Sequence, residues 1–116
     1  MKNIFLIAAF VIPSLTFAQN QTSGKLTVIS EYGDRFYLLL DGIAQNTAPQ
    51  TTITIADLTQ PHYNAKVVFE DSTIASISRS RLMLINYGKF MDVTYKIKRD
   101  RNNNLKLIQY SMLPIQ

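Results

Sequence analysis

The sequence predicts an all-β protein, a small antiparallel β-sandwich ending in a long C-terminal hairpin. Apolar residues recur at every second position in several short runs, the pattern of half-buried strands. Turn-forming clusters separate those runs, among them Asp41-Gly42 and Asp100 to Asn104. Beyond the first eighteen residues, no stretch carries a sustained apolar stripe at helical spacing.

The N-terminus is set apart from this pattern. Met1-Lys2-Asn3 supplies a positive start, Ile4 to Ile12 is uninterruptedly apolar, and Pro13 precedes a short segment ending in Ala18. That order is expected of a cleavable export signal over residues 1–18, with small Thr16 and Ala18 placing the cut before Gln19. The apolar run is far shorter than the roughly 20 residues that span a bilayer as a helix. No second run of spanning length follows, so no transmembrane segment is expected once the signal is removed. The expected destination is the periplasm, the cell surface or the exterior. Residues 19–24 read as a polar, flexible leader, and residues 25–116 as a single domain whose structure starts at Lys25. The chain has no cysteine, which excludes disulfides, a lipid-anchored N-terminal cysteine, thiolate nucleophiles and cysteine-held zinc.

Leu26 and Val28 begin the alternation, and Ile53 with Ile55 and Ala65 with Val67 and Phe69 continue it. Phe36 to Leu40 is apolar at every position, as a central strand covered on both sides would be. Asp41-Gly42 then turns the chain, because glycine reaches positive φ without a Cβ clash. Ser72 to Ser80 reads as a loop or short helical crossing with Ile74 and Ile77 turned inward. Arg81 to Ile85 reads as a strand running into a turn at Asn86-Tyr87-Gly88-Lys89. Phe90 to Arg99 and Leu105 to Leu113 flank an asparagine-rich turn and form the terminal hairpin.

One resemblance rests on these residues. Leu26-x-Val28-x-Ser30-Glu31-Tyr32-Gly33, Phe36 to Leu40, Asp41-Gly42 and Thr47-Ala48-Pro49 together resemble the PEGA-type β-domain. Ile53, Ile55 and Leu58, then Tyr63, Ala65, Val67 and Phe69, look like its last two strands. The pattern departs where Tyr32 and Asp34 replace the usual proline and alanine, where Ala48 splits Thr47 from Pro49, and where no glycine precedes Tyr63. The whole chain is also similar to exported, uncharacterised Gram-negative bacterial proteins in which such a domain often precedes a helical one. The resemblance implies a PEGA-like or immunoglobulin-like sandwich of the cell envelope and carries over no catalytic residue.

Catalysis finds little foothold. His62 is the only histidine and sits beside Pro61, where a solvated turn position is expected; a Ser-His-Asp triad would need an oriented base and an activated serine. Asp57 is near it only in sequence. Glu70-Asp71 and Glu31 with Asp34 are the carboxylate pairs that calcium binding or acid–base work would use. Adjacent strand residues point to opposite faces, however, and turn chemistry is the simpler reading. No phosphate loop, nucleotide fingerprint or calcium-loop spacing occurs, so no cofactor, metal or catalytic residue is expected.

Charge is the feature that stands out. Residues 19–78 carry Lys25, Arg35 and Lys66 against six acids, a net of −3; residues 79–116 carry eight basic residues against Asp92 and Asp100, a net of +6. Lys96 and Lys98 share one face of their strand, Arg99 and Arg101 lie near the hairpin tip, and Lys106 returns on the partner strand. With Tyr95 and Tyr110 as flat contact surface, these seven residues form a candidate patch for an anionic partner. In an exported protein that partner is expected to be an envelope protein or an anionic glycan, not nucleic acid. The competing explanation is that lysines on an outer strand keep sheets soluble and unpaired. The functional expectation is a non-catalytic binding module, with sheet-edge assembly as the alternative and a hydrolytic enzyme as the more remote one.

Overall fold

The computed structural model describes residues 22–115, so the expected export signal, its cleavage point and the first part of the leader lie outside the described residues. Within them the period-two runs become nine strands and no helix: β1 (Gly24–Ser30), β2 (Phe36–Leu40), β3 (Ile43–Ala44), β4 (Thr52–Leu58), β5 (His62–Phe69), β6 (Ile77–Met83), β7 (Ile85–Asn86), β8 (Lys89–Arg99) and β9 (Leu105–Pro114). They form two sheets. One runs β4-β1-β8, with β7 and β9 each also paired to β8; the other runs β3-β2-β5-β6.

The sheets meet through the residues that alternation marks as inward. Leu26 and Val28 of β1, Ile53 of β4, and Val93, Tyr95 and Ile97 of β8 are buried against Phe36, Leu38, Leu40, Val67, Phe69 and Leu82 of the other sheet. Burying each such side chain contributes roughly 1.5–3 kcal/mol, which lets a domain of this size hold together without a disulfide. On one side the sandwich is laced by the bridge between Phe36 and Gln50 and by Ser30 N–H donating to the Thr51 carbonyl at 2.9 Å. On the other side β6 faces β9.

Several sequence expectations need correction. The sandwich is not wholly antiparallel: β1 and β8 pair in parallel, from Lys25 opposite Asp92 to Ser30 opposite Ile97. That contact joins the two ends of the domain, where no local pattern reports pairing direction. β1 starts at Gly24, one residue before the expected Lys25. Phe36 to Leu40 is central between β3 and β5, yet only Phe36, Leu38 and Leu40 are fully buried; Tyr37 and Leu39 face outward and are half-covered. The segment Ser72 to Ser80 is a loop only at its start, since β6 begins at Ile77, and Ile74 and Ile77 do pack on the core. The expected strand from Arg81 to Ile85 is instead the end of β6 and the start of β7, interrupted at the buried Leu84.

Two turns show why their residues are there. Asp41 and Gly42 have φ of 49° and 83°, and Tyr87 and Gly88 have 52° and 76°. Two successive positive φ values are what a tight hairpin turn needs to follow strand twist. The Asp41 carboxylate also accepts the Asn64 N–H at 2.8 Å and Gln60 Nε2 at 2.9 Å, fastening this turn to the loop before β5 and to β5 itself. Those bonds, the Asn64 N–H foremost, hold its carboxyl below the usual range.

Candidate functional site

Because side chains alternate across a strand, burying Val93, Tyr95 and Ile97 turns Thr94, Lys96 and Lys98 to the outer face of the five-stranded sheet. Register then decides what stands beside them. Lys98 is opposite Lys106; Lys96 is flanked by Ile108 and Ile29, with Thr52 beyond; Thr94 is flanked by Ser111 and Thr27, with Thr54 beyond. The last of these rows is therefore a line of four hydroxyls across four strands. Two of them, on Thr27 and Thr54, lie 3.2 Å apart.

A bulge shapes the β9 end of these rows. Tyr95 is opposite Gln109 and Thr94 is opposite Ser111, leaving Tyr110 as the extra residue. A bulge sets two consecutive side chains against one partner position, and here it puts Tyr110 beside Ser111 on the outer side. Tyr110 is 64% exposed, and Lys96 Nζ stands 3.8 Å from its ring centroid. This is close cation–π geometry and fixes the ring against the sheet.

Of the seven expected patch residues, six reach the surface and one does not. Tyr95 is 1% exposed and belongs to the core, so it supplies no contact surface. The physical reason is parity: it lies one position from Lys96, and the pleat sends neighbours to opposite faces. Its hydroxyl stands 3.5 Å from Gln109 Oε1, and the Arg79 guanidinium lies 5.2 Å from its ring centroid.

The remaining cations gather toward the hairpin tip, where the chain also brings partners. Lys98 stands 3.8 Å from Glu31, Lys106 stands 3.2 Å from Asp100, and the Arg99 guanidinium lies 5.5 Å from the Tyr32 ring centroid. Arg99 also donates to the Asn103 carbonyl at 3.1 Å. Asp100 accepts the Asn102 and Asn104 N–H groups at 2.8 and 3.0 Å, which, with Asn104 first, lowers its pKa and braces the turn. Arg101 at the tip meets no acidic partner among the described residues.

The opposite net charges of the two chain halves do not become two opposite faces. Glu31, from the acidic half, sits against Lys98 of the basic half, because parallel pairing carries the ends of β1 and β8 to the same end of the sandwich. Glu70 and Asp71, following β5, reach that end too. Arg35 Nε stands 4.0 Å from Glu70, and Asp71 accepts the Thr73 N–H at 2.9 Å and its hydroxyl at 2.6 Å, the hydroxyl chiefly lowering the Asp71 pKa. His62 opens β5 at the other end, as a half-buried strand residue opposite Met83 and not in a solvated turn. Among the described residues no three of His, Cys, Asp and Glu gather as a metal site would require. No helix among them is long and apolar enough to cross a membrane.

Sequence reasoning missed Glu31, Tyr32, Thr27, Thr54, Thr94, Ser111 and Arg79 as neighbours of the patch. The outward parity of the threonines was readable from their strands; their alignment depends on sheet order. Compared with known proteins, the chain matches no family model, no curated protein and no solved structure.

Proposed function

We propose that this protein is a non-catalytic, exported envelope module, PEGA-like in build, that binds an anionic partner on the outer face and tip of its C-terminal hairpin. The observation that carries the reading is the Lys96–Tyr110 pair: an exposed aromatic ring held 3.8 Å from an ammonium on an open sheet face. Lys98, Lys106, Arg99 and Arg101 extend the positive surface from that pair to the tip. Their acidic neighbours Glu31 and Asp100 orient them and leave an excess of cations. Exposed ion pairs of this kind contribute little to stability, about 0–1 kcal/mol, so the fold has small need of the cluster.

The non-catalytic part of the reading is supported by the placement of His62 at the opposite end from Glu31, Glu70 and Asp71, while the nearer Asp41 is engaged by the Asn64 N–H and Gln60. Assembly by strand addition at the hairpin edge draws less support. β9 is interrupted by its bulge and contains Pro114, and its Leu107 carbonyl accepts from Arg79 at 3.4 Å. Such features blunt an edge.

The test is a pull-down from the native envelope with wild type and with a Lys96→Glu, Lys98→Glu, Arg101→Glu variant, each at low and moderate salt. The expected result is a partner retained by wild type at low salt and lost on charge reversal and on added salt. Equal retention by both forms would move the site to the sheet edges.

A further inference from the structure

Resting on that reading, we infer that the partner is a polysaccharide bearing carboxylates, which lies across the strands along the Thr54–Thr27–Thr94–Ser111 row with a sugar ring against Tyr110. The spacing of the row comes first. Strands stand about 4.8 Å apart, so four strands present hydroxyls over about 14 Å. One strand spacing is comparable to the length of one pyranose unit, so successive sugars meet successive hydroxyls. Each hydroxyl donates once and accepts twice; Thr27 and Thr54 use one donor between them, and the capacity that remains suits a ligand whose own groups are hydroxyls.

The second observation is what flanks the row. Tyr110 stands at its β9 end, beside Ser111, with most of its surface open. The apolar face of a sugar ring packs on such an aromatic surface, on the side of the Tyr110 ring that Lys96 leaves open, while Lys98 and Lys106 toward the tip supply charge for carboxylates along the chain. Thr52, Ile29 and Ile108 line the next row toward the tip, with Lys98 and Lys106 beyond them. On the side away from the tip the row is flanked by Lys25, Asp92 and Leu113, so the cations unmatched by a neighbour in register gather toward the tip.

The third observation separates a saccharide from an acidic protein. Protein interfaces concentrate their affinity in pockets that bury a large side chain. This face presents a row of small hydroxyls that ends in one exposed ring; a groove of about 210 Å³, lined by Leu39, Lys66 and Ser78, lies on the other sheet. A hydroxyl row with one aromatic at its end suits an extended chain better than a protruding side chain.

The test measures binding of the whole chain to three probes: polygalacturonate, its methyl-esterified form and poly-L-glutamate. Wild type is expected to bind polygalacturonate more tightly than either of the others. Thr27→Val and Thr94→Val keep shape and strand preference and remove a hydroxyl each; each is expected to weaken polygalacturonate binding about fivefold, the equivalent of one net hydrogen bond. Tyr110→Ala is expected to weaken it about tenfold or more, as loss of an aromatic anchor does. Unchanged thermal unfolding would show that each variant is folded. Poly-L-glutamate binding as tight as polygalacturonate, with both valine variants silent, would overturn the saccharide inference and leave charge-steered binding standing. Loss of all partners in the native pull-down would remove the broader reading itself.

Discussion

The C-terminal hairpin presents two faces built from neighbouring residues and put to different uses. On the inner face Val93, Tyr95, Ile97 and Leu107 are buried in the core; on the outer face Thr94, Lys96, Lys98 and Tyr110 meet solvent. Tyr95 and Tyr110 come from the same hairpin, yet one is packed beneath Arg79 and the other stands open beside Lys96. Side-chain chemistry therefore does not assign either ring its role. Parity along the strand assigns Tyr95, and a one-residue bulge assigns Tyr110.

The largest break in that comparison comes from the inner ring. Tyr95→Ala is expected to cost about 3–5 kcal/mol, the range for removing a buried aromatic, measured by denaturant unfolding. Tyr110→Ala should change stability by less than about 0.5 kcal/mol, as exposed substitutions do, and act on binding alone. Equal destabilisation by the two would mean that the faces are not distinct.

Acid sharpens the comparison at the hairpin tip. Asp100, Asp71 and Asp41 are all held below the ordinary carboxylate range, chiefly by bonds from the Asn104 N–H, the Thr73 hydroxyl and the Asn64 N–H respectively. A group whose folded pKa is depressed takes up its proton more readily in the unfolded chain. The stability it contributes is present above the unfolded value, about pH 3.9, and is lost as pH falls through the folded value. Asp100→Asn retains an acceptor for the turn but not the titration. Acid unfolding followed by circular dichroism should show a shallower loss of stability for this variant than for wild type below about pH 4.

The smallest expected effect lies at the rim of the core. Ser30 ends β1 buried, and its hydroxyl has no hydrogen-bond partner among the described residues. Leaving a buried donor unmatched is unfavourable, so Ser30→Ala should be neutral or stabilising by up to about 1 kcal/mol in thermal unfolding. A clear destabilisation would show that the hydroxyl is satisfied in solution.

Much of this architecture was readable from local pattern. The alternation of Leu26 and Val28, of Ala65, Val67 and Phe69, and of Val93, Tyr95 and Ile97 marks strands and their inner faces. Asp41-Gly42 and Asp100 to Asn104 mark turns. These are properties of a few consecutive residues, because the pleat repeats every two positions and turns depend on local φ. The same pleat already placed Tyr95 opposite in sense to Lys96, so its burial was legible in the strand it occupies.

Sheet order was beyond such reasoning. The parallel pairing of β1 with β8, the alignment of Thr54, Thr27, Thr94 and Ser111, and the approach of Glu31 to Lys98 all join segments far apart in the chain. Likewise, the bulge that turns out Tyr110 is visible only against its partner strand. The amino-acid sequence by itself determined strands, inward faces, turns and a basic C-terminal hairpin, because those follow from period and local backbone preference. Only the tertiary structure decided which faces lie side by side, because register is set by the collective packing of both sheets around one core.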